Sequence, residues 1–163
     1  MGRIFSNLTT TGFALRRAFP ESTLAAIEEA IRQSELSHGG EIQFAIETAL
    51  DLKQLLRGVT ARDEAVQAFA DLRVWDTEQN CGVLIYVLLS ERDVEIVADR
   101  GFNGRVAQQE WQRVCDDVRT AFADGRFLAG SIDGIEGITR LIGRHFPRDP
   151  ADQDELPNRP VVL

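Results

Sequence analysis

Two polar segments hold the side chains of this chain best suited to chemistry. Trp75-Asp76-Thr77-Glu78-Gln79-Asn80 leads into an apolar run, and Asp99-Arg100-Gly101-Phe102-Asn103-Gly104 follows a second one. Carboxylate and amide oxygens, together with backbone carbonyls freed by glycine, are what a hard cation such as Ca²⁺ or Mg²⁺ coordinates. On that chemistry Asp76, Glu78, Asn80 and Asp99 are candidate metal ligands. Arg100 and Asn103 are candidates to hold an anionic ligand beside them. The ordinary alternative is that these residues cap turns and pair with neighbouring charges.

No other pattern competes. The chain has no Cys-x-x-Cys, no His-Glu-x-x-His, no phosphate-binding P-loop and no Gly-x-Ser-x-Gly elbow. Of its two histidines, His145 falls in the last turn of a helix as a cap, and His38 is expected in an exposed turn. Cys115 shares a helical face with Trp111 and Val118, and Cys81 begins an apolar strand; both read as packing residues. No catalytic residue is assigned and no organic cofactor is expected.

The elements that must position the polar segments follow from periodicity. Val83–Leu89 is apolar throughout, so it should be a strand covered on both faces, with Val94–Ala98 returning as its hairpin partner. In a hairpin the start of one strand lies beside the end of the other, which brings 76–80 to 99–104. Residues 41–47 alternate Ile42, Phe44 and Ile46 with Glu41, Gln43 and Glu47, the pattern of a strand with one buried face. Helices are expected over about 21–35, 60–73 (Val66, Phe69 and Leu72 inward), 107–123 and 128–146. A strand–helix–strand crossover followed by a hairpin makes a short mixed sheet, with helices on both faces. The fold class is therefore α/β, a small three-layer α/β/α sandwich. Residues 1–19 form an amphipathic N-terminal arm, 20–147 a single domain, and 148–163 an acidic tail with three prolines that is expected to be disordered.

Composition sets the outer limits. The 163 residues suit one domain, and 44% apolar with 27% charged residues is ordinary for a globular protein. A net charge of −8 argues against a nucleic-acid partner. The longest apolar run has seven residues, too short for a transmembrane segment, and no signal peptide is visible, so the expected location is cytoplasmic.

The stretch Ala68–Trp75 followed by Asn80–Gly101 resembles the TPM domain, a family that includes thylakoid phosphatase-like and photosystem II repair proteins. The likeness covers about residues 20–146 and implies an α/β/α sandwich with a short sheet. It also implies divalent cation binding and weak acid phosphatase activity. This chain is similar to a subgroup without signal peptide or membrane anchor. It departs from the family where Asn80-Cys81-Gly82 replaces Asp-Asn-Gly and where Asp99-Arg100-Gly101 replaces a Gly-Tyr-Gly-type turn.

The favoured expectation is a non-enzymatic binding module responsive to Ca²⁺ or Mg²⁺. The alternative is a weak metal-assisted acid phosphatase, in which Arg100 would clamp the phosphoryl group and Asp76 or Asp99 would ligate the metal or act as base. A protein partner captured through the N-terminal arm is a third possibility. The opposite end of the sheet, near Thr48, Asp51 and Ser90–Asp93, is the usual ligand end of parallel strands, but Glu91 and Asp93 fall there in a solvated turn.

Overall fold

The computed structural model describes residues 2–163; Met1, the first residue of the expected arm, lies outside the described residues. In chain order the elements are α1 (Gly2–Thr9), α2 (Gly12–Ala18), α3 (Glu21–Glu35), β1 (Glu41–Glu47), α4 (Leu52–Leu56), α5 (Ala61–Asp71), β2 (Gly82–Leu88), β3 (Asp93–Ala98), α6 (Gln108–Ala123), α7 (Phe127–Gly143) and β4 (Val161–Val162). The sheet order is β3-β2-β1-β4, with β1 parallel to both β2 and β4, and β2 antiparallel to β3.

Strand alternation builds two cores. Ile42, Phe44 and Ile46 of β1, with Val83, Ile85 and Val87 of β2, pack under α3, α6 and α7 through Ile27, Ile31, Trp111, Phe122 and Ile138. Ala45, Leu84, Tyr86 and Leu88 point the other way, onto Leu55 of α4 and Ala61, Ala65 and Ala68 of α5. This is the expected three-layer sandwich. On the first face α7 lies so close to α6 that a Cβ on Gly134 would sit 2.8 Å from Val118 Cγ2. No helix of the described residues is long and apolar enough to cross a membrane.

Three local expectations are corrected. Val66 is exposed, because α5 presents its alanines to the sheet and turns the bulkier residue out. β1 is buried on both faces rather than one, Glu41 and Gln43 included. The cause is the third correction: residues 148–163 are not disordered but run along the sheet. Leu156 is buried in the second core, Gln43 Nε2 donates to Arg159 O (3.3 Å), and Leu163 N donates to Ile46 O (2.9 Å) beyond the β4 pairing. Arg159 also bridges to Glu21 and Glu28 of α3. Main-chain and polar contacts hold a segment that its apolar content alone would have left free.

Candidate metal centre at the start of the parallel strands

The hairpin register does bring the two polar segments together. Asp99 N donates to Gly82 O (2.9 Å) and Gly101 N to Asn80 O (2.9 Å). Asn80 adopts a left-handed backbone (φ 53°), which asparagine tolerates, to turn the chain into β2. Gly101 is required opposite it, since a Cβ there would lie 2.3 Å from Asn80 O. The Asn-x-Gly pattern and the glycine after the hairpin are thus two halves of one close backbone contact.

The six predicted site residues do not form one cluster. Asn80, Asp99 and Arg100 meet: Arg100 Nε donates to Asn80 Oδ1 (2.8 Å) and Arg100 N to Asp99 Oδ1 (2.7 Å). Asp99 is buried, and its Oδ2 has no hydrogen-bond partner. Asp76 is exposed and pairs with Arg73 (2.6 Å). The Asn103 side chain is exposed. Glu78 faces the tail, where its backbone N donates to the Glu155 carboxylate (3.0 Å to Oε1). It lines a polar cleft of about 420 Å³ with Gly39, Gln79, Asp152, Asp154 and Glu155.

Asp154 also belongs to a second group that sequence reasoning missed. Glu35, Glu41 and Asp154 each bring a carboxylate oxygen within 4.8 Å of the others. Glu35 ends α3, and its Oε1 accepts from Ile42 N (2.9 Å); Glu41 opens β1, and its Oε2 accepts from Leu156 N (3.2 Å). Both glutamates are buried while Asp154 is exposed. Burial, opposed by the bond from Ile42 and reinforced by repulsion from Glu41 and Asp154, pushes Glu35 up to about 8. Burial, opposed by the bond from Leu156, pushes Glu41 up to about 7. The nearby cation is Arg148, whose guanidinium ties the tail down by donating to Glu35 O (2.7 Å) and Asp152 O (3.1 Å).

His38 adjoins this group and is fully buried, contrary to the exposed turn expected of it. Its Nδ1 accepts from Gly40 N (3.2 Å), which leaves the Nε2 proton for Ser34 Oγ (2.9 Å). Burial lowers its pKa to about 4, so it is neutral at physiological pH. Burial likewise pushes the thiols of Cys81 and Cys115 up to about 11. One signal in the sequence did point to Glu35, which lies four residues after Ile31 and eight after Ile27, on the apolar face of its helix.

At the opposite end of the sheet the acids are already engaged. Asp51 caps α4 in a capping box with Gln54, Glu91 pairs with Arg3 (2.8 Å), and Asp93 pairs with Arg119 (2.6 Å). Three carboxylates converging without a basic side chain among them fit a hard oxygen-seeking cation, and among the described residues the start of β1 alone offers them.

A family profile described as TPM domain matches residues 15–141, most of the chain. The chain belongs to the TPM domain family. This TPM domain is similar to the BA42 protein of the psychrophilic bacterium Bizionia argentinensis, at 30% identity and TM-score 0.77 over 87% of this chain and 93% of that one. It shares its fold with the N-terminal domain of a P. gingivalis protein (16% identity, TM-score 0.61, 79% of this chain and 81% of that one). The same fold is found in the N-terminal domain of the cg2496 protein of Corynebacterium glutamicum (13% identity, TM-score 0.54, 75% and 72%). No curated protein matches the chain. The stretch matched by the family profile ends before the tail, so Asp154 lies outside it.

Proposed function

We propose that this TPM domain is a non-enzymatic binding module that responds to a divalent cation held by Glu35, Glu41 and Asp154. The observation that carries the reading is the convergence of three carboxylates, two of them buried, at the point where the tail crosses the start of β1. All three donors are oxygens, which favours Ca²⁺ or Mg²⁺ over softer metals. When bound, the ion supplies the positive charge that the buried pair lacks and displaces the protons it retains near neutral pH. Because Asp154 is contributed by the tail, binding is coupled to how firmly the tail is held. A covalent catalyst finds little support, since both thiols are strongly protonated and both nitrogens of His38 are occupied.

The test is titration with Ca²⁺ and Mg²⁺ at pH 8, followed by calorimetry and backbone NMR shifts. Saturation at roughly millimolar ion is expected, with shifts centred on Glu35, Glu41 and 152–156. Glu41→Gln and Asp154→Asn should abolish it, while Asp76→Asn should leave it intact. Loss in Asp99→Asn with retention in Glu41→Gln would move the site to the partnerless oxygen of Asp99. Mg²⁺-dependent hydrolysis of p-nitrophenyl phosphate that disappears in Glu41→Gln would replace the binding module with the phosphatase.

A further inference from the structure

The first helix is turned inside out. Arg3, Ser6 and Asn7 line the side of α1 that faces the domain, at helical spacing, and Asn7 is buried. Asn7 Oδ1 accepts from Leu50 N (2.8 Å) and Ser90 Oγ (2.7 Å), and its Nδ2 donates to Glu91 Oε1 (2.9 Å). Arg3 donates to Glu91 Oε1 (2.8 Å) and Val59 O, and Ser6 donates to Ser90 O. With its polar side spent inward, α1 directs Ile4, Phe5 and Leu8 to the outside, Phe5 being 70% exposed and Leu8 61%. A helix folding onto a globular core does the opposite. Its neighbours pack Leu15 and Leu55 inward in the ordinary way but add to the exposed apolar surface: α2 exposes Phe13, and α4, packed beside α1, exposes Leu52 and Leu56.

The charge carried by these helices themselves is one-sided. Residues 2–20 and 52–60 contain Arg3, Arg16, Arg17, Lys53 and Arg57 and no acid. Taking those five positive charges from the net −8 leaves −13 on the rest of the chain. Arg16, Arg17, Lys53 and Arg57 are exposed and in no ion pair among the described residues. Beside them, between α2 and the turn after β2, a cleft of about 540 Å³ carries Arg17 and Arg92.

We infer that α1, α2 and α4 form a docking face for an anionic bilayer surface. Exposed aromatic and leucine side chains set among unpaired cations are what an interfacial segment needs: the apolar groups enter the headgroup boundary and the cations meet lipid phosphates. A second copy of the chain fits less well, because the face would present the four unpaired cations Arg16, Arg17, Lys53 and Arg57 to itself. The face lies where β1 and β2 end, whereas Glu35 and Glu41 lie where β1 begins. Docking therefore leaves the acidic end of the molecule pointing away from the surface, and the inference stands independently of the cation site.

The full chain is mixed with vesicles of phosphatidylcholine alone or with about a third phosphatidylglycerol and assayed by flotation. Wild type should float with the anionic vesicles at low salt, should weaken at 0.5 M NaCl as screening shortens to a few ångströms, and should ignore the neutral ones. Arg16→Glu/Arg17→Glu and, separately, Phe5→Ser/Leu8→Ser should each lower binding about ten-fold or more with an unchanged melting temperature, because all four side chains are exposed. Absence of flotation at low salt, or flotation that survives both double variants, overturns the proposal. So does a wild-type dimer that Phe5→Ser/Leu8→Ser converts to monomer, which would assign the face to a second copy.

Discussion

Replacing Glu35 and Glu41 by glutamine should make the metal-free protein more stable, and increasingly so as pH rises. A folded-state carboxyl whose pKa lies above its unfolded value binds its proton more tightly in the folded chain. Its contribution is therefore lost as pH rises from about 4.5 through the folded pKa. Moving Glu35 from 4.5 to about 8 corresponds to on the order of 4 kcal/mol at pH 8 if nothing relaxes. Asp154 is exposed, so water and tail movement relieve part of the strain, and about 2 kcal/mol is the expected net effect. Glutamine keeps an oxygen to accept from Ile42 N and Leu156 N, so the variant removes charge and little else. His38, held at about 4 by burial, pulls the other way between about pH 4 and 6.5, but it is identical in both proteins and cancels in their difference. Urea unfolding of wild type and of Glu35→Gln/Glu41→Gln at pH 5 and pH 8 in EDTA measures that difference directly. It should be a few tenths of a kcal/mol at pH 5, where the loss has just begun, and about 2 kcal/mol in favour of the variant at pH 8, and saturating Ca²⁺ should rescue only the wild type. A variant less stable than wild type by the same amount at both pH values would refute the argument, because it would make the two glutamates ordinary hydrogen-bond acceptors.

Gly101→Ala should cost about 2–3 kcal/mol in urea unfolding, since its Cβ would lie 2.3 Å from Asn80 O and the backbone must part to admit it. Asn7→Ala should cost about 2 kcal/mol by leaving Leu50 N and Ser90 Oγ without their acceptor, and hydrogen exchange should show α1 released before the sheet. Ending the chain at Pro147 removes β4, Leu156 and Asp154 together. Light scattering should then reveal self-association through the uncovered edge of β1, and cation titration should give no response.

The layered fold was legible because it rests on apolar periodicity. The run at 83–89 and the alternation at 41–47 placed β2 and β1, and Gly39-Gly40 and Pro147 bounded the helices on either side. The tail escaped because what holds it is not apolar. Its prolines and four acids describe a chain unable to make a core of its own, which is true, but a core already exists. Leu156 needs only one place in it, and the backbone needs only an unoccupied strand edge. The tail decides β1 as well: Glu41 and Gln43 occupy the outward positions of an alternating strand, and the tail is laid over both, with Leu156 N donating to Glu41 and Gln43 donating to Arg159 O.

The same cause accounts for the candidate site. Strand pairing is a local rule, so the meeting of Asn80, Asp99 and Arg100 could be foreseen. Glu35 and Glu41 are six residues apart, joined by a partly exposed turn that nonetheless buries its histidine, while Asp154 arrives from the far end of the chain. No spacing rule links a helix end, a strand start and a tail. What marks the three is a cost: two carboxyls held well above their ordinary range in a site that could have been filled by apolar residues at less expense. Sequence patterns record where burial is favourable, whereas ionisable groups buried at a penalty stand out only once packing is known. Glu35 shows the overlap between the two, a charge set on the same helical stripe as Ile27 and Ile31, where a fourth-residue repeat called for another apolar side chain.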